Sequence, residues 1–195
     1  MCEELYGVIG VLRYRHAQKR FEKRKVKKYV QLGMDKIPVH RERILDGCCS
    51  ILLPETFVDM ELTSDMVGYR SLWTPQSIKT TAAEDAVLSF GLIPMAESGT
   101  EEMPVSDKLE KLRQDMKRKW TQDVYYGTGQ VQANGRKAAW MDLKSFSARG
   151  SMYSFIFLFE IKGETVFGNF YCSFEQYLIW KPVMQKLIAT IEFQG

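Results

Sequence analysis

The chain has 195 residues, of which 45% are hydrophobic, 12% aromatic and 26% charged, and its formal net charge is +3. These values are typical of ordinary soluble globular proteins, and the length fits one domain rather than two. The longest apolar run, residues 155–161, is far shorter than the roughly 20 residues that cross a membrane, and the N-terminus lacks a secretory pattern. We therefore expect a cytoplasmic protein without a membrane span.

All of the basic excess lies in the first quarter of the chain. Residues 1–46 contain 12 Lys and Arg against 6 Asp and Glu, and the remainder carries a net charge of −3. We predict a basic N-terminal arm, residues 1–43, followed by a domain at 44–195. The candidate partner-binding residues of this arm are Lys19, Arg20, Phe21, Lys23, Arg24, Lys25, Lys27, Lys28 and Tyr29.

Two interpretations of this arm stay open. It is either a solvated arm, with a helix as one conformation, whose few apolar residues rest on the domain, or a contact site for a protein partner. A membrane surface is a less suitable partner, because the arm lacks the regular apolar spacing of an amphipathic membrane helix. Nucleic acid is a less suitable partner, because a dedicated reader of nucleic acid normally carries its basic face on the folded domain, which here is mildly acidic.

The pattern of the domain predicts six strands, with a long helix between the second and the third. Apolar runs and alternation predict strands at 48–53, 85–93, 124–133, 136–146, 151–161 and 165–172. Asn134-Gly135 and Lys162-Gly163-Glu164 are expected to turn two hairpins. Helical spacing predicts a helix over 107–120 with Ser106 as its N-cap. An S-x-x-Q capping box at 173–176 predicts the start of a short helical segment, and Pro182 is expected in the first turn of a last helix.

One strand indicates the fold class. Residues 153–159 are apolar on both alternating faces, so this strand must be covered from both sides. The predicted fold is α+β, an antiparallel-rich sheet with helices on both faces, which is an α/β/α sandwich.

Catalytic and metal-binding patterns do not emerge from the sequence. The four cysteines form no C-x-x-C pair, and the two histidines lie in the basic N-terminal stretch. We predict a non-enzymatic protein with no cofactor and no metal. An enzyme that uses carboxylates such as Asp142 and Glu160 is the least supported alternative, and it requires that these residues converge in one pocket.

The chain resembles the PsbP-like/DcrB-like superfamily. The resemblance rests on Leu53-Pro54, on Gly168-Asn169-Phe170-Tyr171-Cys172, and on Trp180-x-Pro182 before the last helix. It implies an α/β/α sandwich without catalytic residues. Members include a photosystem extrinsic subunit, a nuclear-import factor that binds a small GTPase, and bacterial chaperones encoded beside effectors of contractile secretion systems.

The resemblance favours a protein-binding adaptor or chaperone that serves an effector or component of a bacterial contractile secretion system. The alternative is a structural subunit docked into a larger assembly through its N-terminal arm. Amphipathic aromatic residues are the candidate contacts on the domain. They include Tyr125, Tyr126, Trp140, Tyr171, Tyr177 and Trp180, and the residues selected as partner-binding are Trp73, Tyr153, Phe155 and Phe157. For Tyr153, Phe155 and Phe157, the competing explanation is that a helix packs on this face of their strand.

Overall fold

A computed structural model describes residues 25–60, 74–93, 103–147 and 150–194. Within these ranges the chain forms two antiparallel sheets, two α-helices and a short 3-10 helix. The strands are β1 (Tyr29–Leu32), β2 (Asp35–Ile44), β3 (Cys49–Pro54), β4 (Phe57–Asp59), β5 (Ser77–Thr81), β6 (Ala86–Leu92), β7 (Val124–Ala133), β8 (Arg136–Ser147), β9 (Gly150–Ile161), β10 (Glu164–Ser173) and β11 (Glu192–Phe193). The helices are α1 (Val105–Lys119), the 3-10 helix (Phe174–Gln176) and α2 (Tyr177–Ile188).

The larger sheet has seven strands in the order β4-β5-β6-β10-β9-β8-β7. Both predicted hairpins are confirmed as β7–β8 and β9–β10. Asn134 and Gly135 have φ values of 45° and 81°, the left-handed conformation that a tight two-residue hairpin turn requires at both central positions.

Strand β9 lies inside this sheet, and both of its faces are covered. On one face Ile156 and Leu158 pack against Leu109 and Met116 of α1. On the other face the phenylalanines of β9 belong to a core that includes α2 and the smaller sheet. The predicted α+β class with helices on both faces is therefore confirmed.

The smaller sheet was not anticipated. Its order is β1-β2-β3-β11, so β3 pairs with β2 and β11 rather than joining the larger sheet. Residues 29–43, assigned from sequence to the arm, belong to the β1–β2 hairpin, and Val30 is fully buried. A helix does not form in this part, because Ile37 and Val39 lie two positions apart, as residues on one face of a strand do, and pack on the core.

The helix ends also differ from expectation. Helix α1 has Pro104 at its N-cap, and Ser106 lies inside its first turn, where its hydroxyl contacts Asp107. Ser173 makes no side-chain cap bond, so the expected capping box does not form. Helix α2 begins at Tyr177, which places Pro182 within the helix.

Two buried lysines join the layers. Lys79 of β5 bonds to Glu42 of β2 and to Asp59 of β4, both at 2.6 Å, and so connects the two sheets. Burial alone would lower the pKa of Lys79, but the hydrogen bonds to Asp59 and Glu42 raise that pKa above its ordinary value. Lys108 of α1 bonds to Glu160 at 2.8 Å and fixes the helix on the larger sheet.

Candidate functional site

A β-bulge in β7 presents one aromatic ring at the surface. The pairing of β7 with β8 shifts between Tyr125 and Gly127, so Tyr126 is the extra residue of the bulge. Bulges re-aim a side chain away from the regular alternation of a strand. Tyr125 packs toward α1, whereas Tyr126 stacks on residues at the start of α2 and is 48% exposed.

The buried carboxylate of Asp142 holds the bulge. The backbone N–H of Gly127 donates to Asp142 Oδ1 at 2.8 Å, and the hydroxyl of Tyr153 donates to Oδ2 at 3.3 Å. Lys181 of α2 places its Nζ 2.7 Å from Oδ2 and supplies the compensating charge. Burial, and then the charge of Asp142, raise the pKa of Tyr153, so its hydroxyl remains a donor.

Three rings form a nearly parallel stack beside this network. The centroids of Tyr126 and Tyr177 are 6.2 Å apart with an interplanar angle of 14°, and those of Phe174 and Tyr177 are 4.9 Å apart at 11°. Leu178, in the first turn of α2, is 58% exposed. We call Tyr126, Phe174, Tyr177 and Leu178 the aromatic surface.

A lysine lies on the aromatic surface. The Nζ of Lys144 is 4.4 Å from the ring centroid of Phe174 and 5.3 Å from that of Phe146, which is itself 39% exposed. A cation above aromatic rings is attracted to their faces by about 0.5–1 kcal/mol at exposed positions. The surface therefore combines apolar rings with a positive charge, a combination that suits an apolar partner segment with acidic neighbours.

Part of the predicted contact set is core instead. Tyr153, Phe155 and Phe157 are fully buried, beneath α2 and the smaller sheet. Their packing is tight: a Cβ added at Gly168 would lie 2.2 Å from Phe157 Cζ. The competing explanation, helix packing on this face of β9, is the correct one.

The basic arm residues within the described ranges lie elsewhere. Lys25, Lys27 and Lys28 are exposed, and Tyr29 is half-buried with Lys36 Nζ 5.3 Å from its ring centroid. Lys19, Arg20, Phe21, Lys23, Arg24 and Trp73 fall outside the described residues.

Lys25 lines a cleft of about 680 Å³ between the C-terminus of α2 and the β7–β8 turn. Arg41 is a second basic residue of the cleft, and it donates to the carbonyl of Thr190 at 2.6 Å and pairs with Glu192 at 2.9 Å. The cleft therefore combines polar side chains with apolar ones such as Leu52 and Ile191, and it contains the basic end of the described chain.

The alternative carboxylate pair does not converge. Asp142 faces α2 through Lys181, whereas Glu160 faces α1 through Lys108, so the sheet separates them. Burial raises the pKa of the Cys49 thiol to about 12 and raises that of Cys172 further, which makes both poor nucleophiles. Among the described residues no group of three His, Cys, Asp or Glu could hold a metal ion.

Sequence reasoning named Tyr126 and Tyr177 only as members of a longer set of aromatic residues. It missed Phe174, Lys144 and Leu178, and it considered Asp142 only as a catalytic candidate. The one available signal was the density of rings at 125–126 and 174–177. The bulge that gathers these rings depends on a contact between β8 and α2.

Comparison with known proteins supports the fold. No protein-family model matches the sequence, and no curated protein matches it. The structure is similar to cyanobacterial PsbP (CyanoP) from Synechocystis sp. PCC 6803, with a TM-score of 0.58 and 9% identity over 85% of this chain and 98% of that one. It is also similar to the Ran-binding protein Mog1p from Saccharomyces cerevisiae, with a TM-score of 0.54 and 9% identity over 80% of this chain and 96% of that one.

The chain thus has the PsbP/Mog1-like fold, as the resemblance implied, and the DcrB-like part of that resemblance stays a prediction. No helix among the described residues is long and apolar enough to cross a membrane.

Proposed function

We propose that this chain is a non-enzymatic protein-binding domain whose partner docks on the aromatic surface. The observation that carries the proposal is the exposed Tyr126 ring stacked nearly parallel on the half-buried Tyr177, together with the exposed Leu178 that follows it in α2. Rigid aromatic residues bury a large area at a small entropic cost and are enriched at the energetic centres of protein interfaces.

The preorganisation of this surface supports binding rather than simple exposure. Asp142 bonds to the backbone N–H of Gly127 and to Lys181, and these bonds fix the bulge that carries Tyr126. Tyr126 therefore loses little conformational freedom when a partner binds. Mog1p, a protein of the same fold, is described as Ran-binding, which supports a protein rather than a small molecule as the ligand.

Within this class we propose an adaptor or chaperone, with an effector or component of a bacterial contractile secretion system as its partner. A second candidate is a structural subunit docked through the basic N-terminal part. The exposed Lys27 and Lys28, and the cleft that Lys25 and Arg41 line, favour this second candidate. Docking there depends on charge and weakens at high salt, whereas apolar docking on the aromatic surface does not.

The test uses the full-length protein as bait in its native host, at low and at high salt, with three single variants and the double variant Lys27→Glu/Lys28→Glu. Leu178→Glu and Tyr126→Ala change exposed side chains of the aromatic surface. Val58→Glu is the matched control, because Val58 is 50% exposed and lies on β4, the opposite edge of the larger sheet.

We expect one stoichiometric partner that survives high salt. Leu178→Glu and Tyr126→Ala should each weaken its binding at least about tenfold, as for a central interface residue, and Val58→Glu should change it less than about twofold. A partner that binds the two aromatic-surface variants as well as the wild type would refute the proposal. A partner lost only at high salt and in a Lys27→Glu/Lys28→Glu variant would favour the docked subunit.

A further inference from the structure

The four sheet edges of the described structure are unequal. Three of them are short, because β1 has 4 residues, β4 has 3 and β11 has 2. The fourth is β7, with 10 residues, and its only strand neighbour within the described part of the chain is β8. An edge strand presents unpaired N–H and C=O groups along its open side.

Strand β7 lacks the usual protection of such an edge. Its sequence, VYYGTGQVQA, contains neither a charged residue nor proline. Charged side chains, proline and very short length are among the devices by which proteins prevent further strand pairing at an edge, together with bulges and covering elements. The bulge at Tyr126 interrupts only the beginning of the strand, so Gly127 to Ala133 remains regular over seven paired positions.

We propose that the regular part of β7, from Gly127 to Ala133, binds an extended segment of the partner protein as an eighth strand of the larger sheet. The inference rests on the proposed function and specifies how the same partner binds. In strand addition, backbone hydrogen bonds supply affinity and the neighbouring side chains supply specificity. Tyr126 lies at the end of this edge, so a chain paired along β7 continues onto the aromatic surface.

Charge specifies the chemistry of the partner segment. At the bulge end, Lys117 Nζ lies 5.2 Å from the Tyr125 ring centroid, and Lys144 lies over Phe174. At the other end, Lys137 of β8 is exposed, whereas Arg136 donates to the carbonyl of Glu160 in β9 and lies over the ring of Phe193. The partner segment is therefore extended, uncharged in its centre and acidic at both ends.

The test selects peptides of about nine residues, slightly longer than the regular edge, from a random displayed library on the full-length protein. A selected peptide is synthesised in its natural form and in a form N-methylated at alternate residues, which removes donors on one edge. Amide hydrogen exchange of the labelled protein then reports which backbone groups it covers. A Lys117→Glu/Lys144→Glu variant tests the charges, and Lys162→Glu, in the exposed β9–β10 turn, is its control.

We expect selected peptides with acidic ends that slow the exchange of alternate amides between Gly127 and Ala133 at least about tenfold. N-methylation should weaken binding by at least about tenfold, because several backbone hydrogen bonds are lost. The Lys117→Glu/Lys144→Glu variant should weaken peptide binding about two- to fivefold, and Lys162→Glu should leave peptide binding unchanged.

Four results would overturn the inference. The first two are that no peptide is selected and that a peptide binds without protecting these amides. The other two are that residues 1–24 already protect the amides in the free protein, and that protection rises with protein concentration, which would indicate pairing with a second copy. The two proposals fail separately. If Leu178→Glu abolishes partner binding while the β7 amides stay unprotected in the complex, the proposed function stands and strand addition falls.

Discussion

Replacing Lys181 with methionine tests the network beneath the aromatic surface. The change removes the only cation within bonding distance of Asp142 among the described residues, while the aliphatic part of the side chain is retained. Asp142 is fully buried, and its oxygens keep only the N–H of Gly127 and the hydroxyl of Tyr153. An uncompensated buried carboxylate therefore results.

Breaking a buried ion pair in this way costs about 3–5 kcal/mol when both partners are buried. The Lys181 side chain is 30% exposed, so water already screens part of the attraction, and we expect Lys181→Met to lower the free energy of unfolding by about 2–4 kcal/mol. Asp142→Asn removes the charge and leaves an acceptor for Gly127, so about 1–2 kcal/mol is expected. The double variant should be less destabilised than the sum of the two, because no charge remains unpaired.

Urea denaturation followed by circular dichroism measures these values, with Lys137→Met as the control for loss of an exposed lysine. Lys181→Arg should restore most of the stability, which keeps the test informative if Lys181→Met does not fold. Exchange of the Gly127 amide should also accelerate in Lys181→Met, because the uncompensated carboxylate of Asp142 destabilises the bulge that its bond to Gly127 holds. Equal stabilities of Lys181→Met and Lys137→Met would refute the role assigned to the pair.

Three further outcomes follow from the packing and the titration of the domain. Gly168→Ala should lower the free energy of unfolding by about 1–3 kcal/mol or more, because the added Cβ would lie 2.2 Å from the fully buried ring of Phe157. Wild-type stability of this variant in urea denaturation would contradict the packing. Gly135→Ala should cost about 1 kcal/mol, since φ is 81° in the β7–β8 turn, and an unchanged midpoint in the same assay would argue against the turn. Stability should fall as the pH rises above about 9, because the Cys49 thiol has an ordinary pKa of 9.0 that burial raises to about 12, so the unfolded chain loses its proton first. The slope for this thiol is about 1.4 kcal/mol per pH unit. Cys49→Ala should lose this contribution and keep that of Cys172, whose pKa burial also raises, as denaturation of both proteins at pH 8 and pH 10 would show.

Much of the fold was predictable because its signals are local. The φ values that Asn134 and Gly135 adopt are available to this pair whatever surrounds it, so the β7–β8 hairpin could be placed from two residues. The apolar residues of β9 required cover on both faces wherever the covering elements came from. The burial of Phe155 and Phe157 follows from the same pattern.

The smaller sheet and the aromatic surface could not be placed in this way. The β1–β2 hairpin lies in a stretch whose charges conceal its alternation, and only pairing with β3 shows that it belongs to the core. The bulge at Tyr126 exists because Asp142 can accept from Gly127 while Lys181, on a distant helix, compensates its charge. Composition and periodicity thus determined which elements form and which of their faces are apolar, because these depend on neighbouring residues. Which aromatic rings remain exposed, and which strand is left as an open edge, was decided by the tertiary structure, because exposure depends on contacts between segments far apart in the chain.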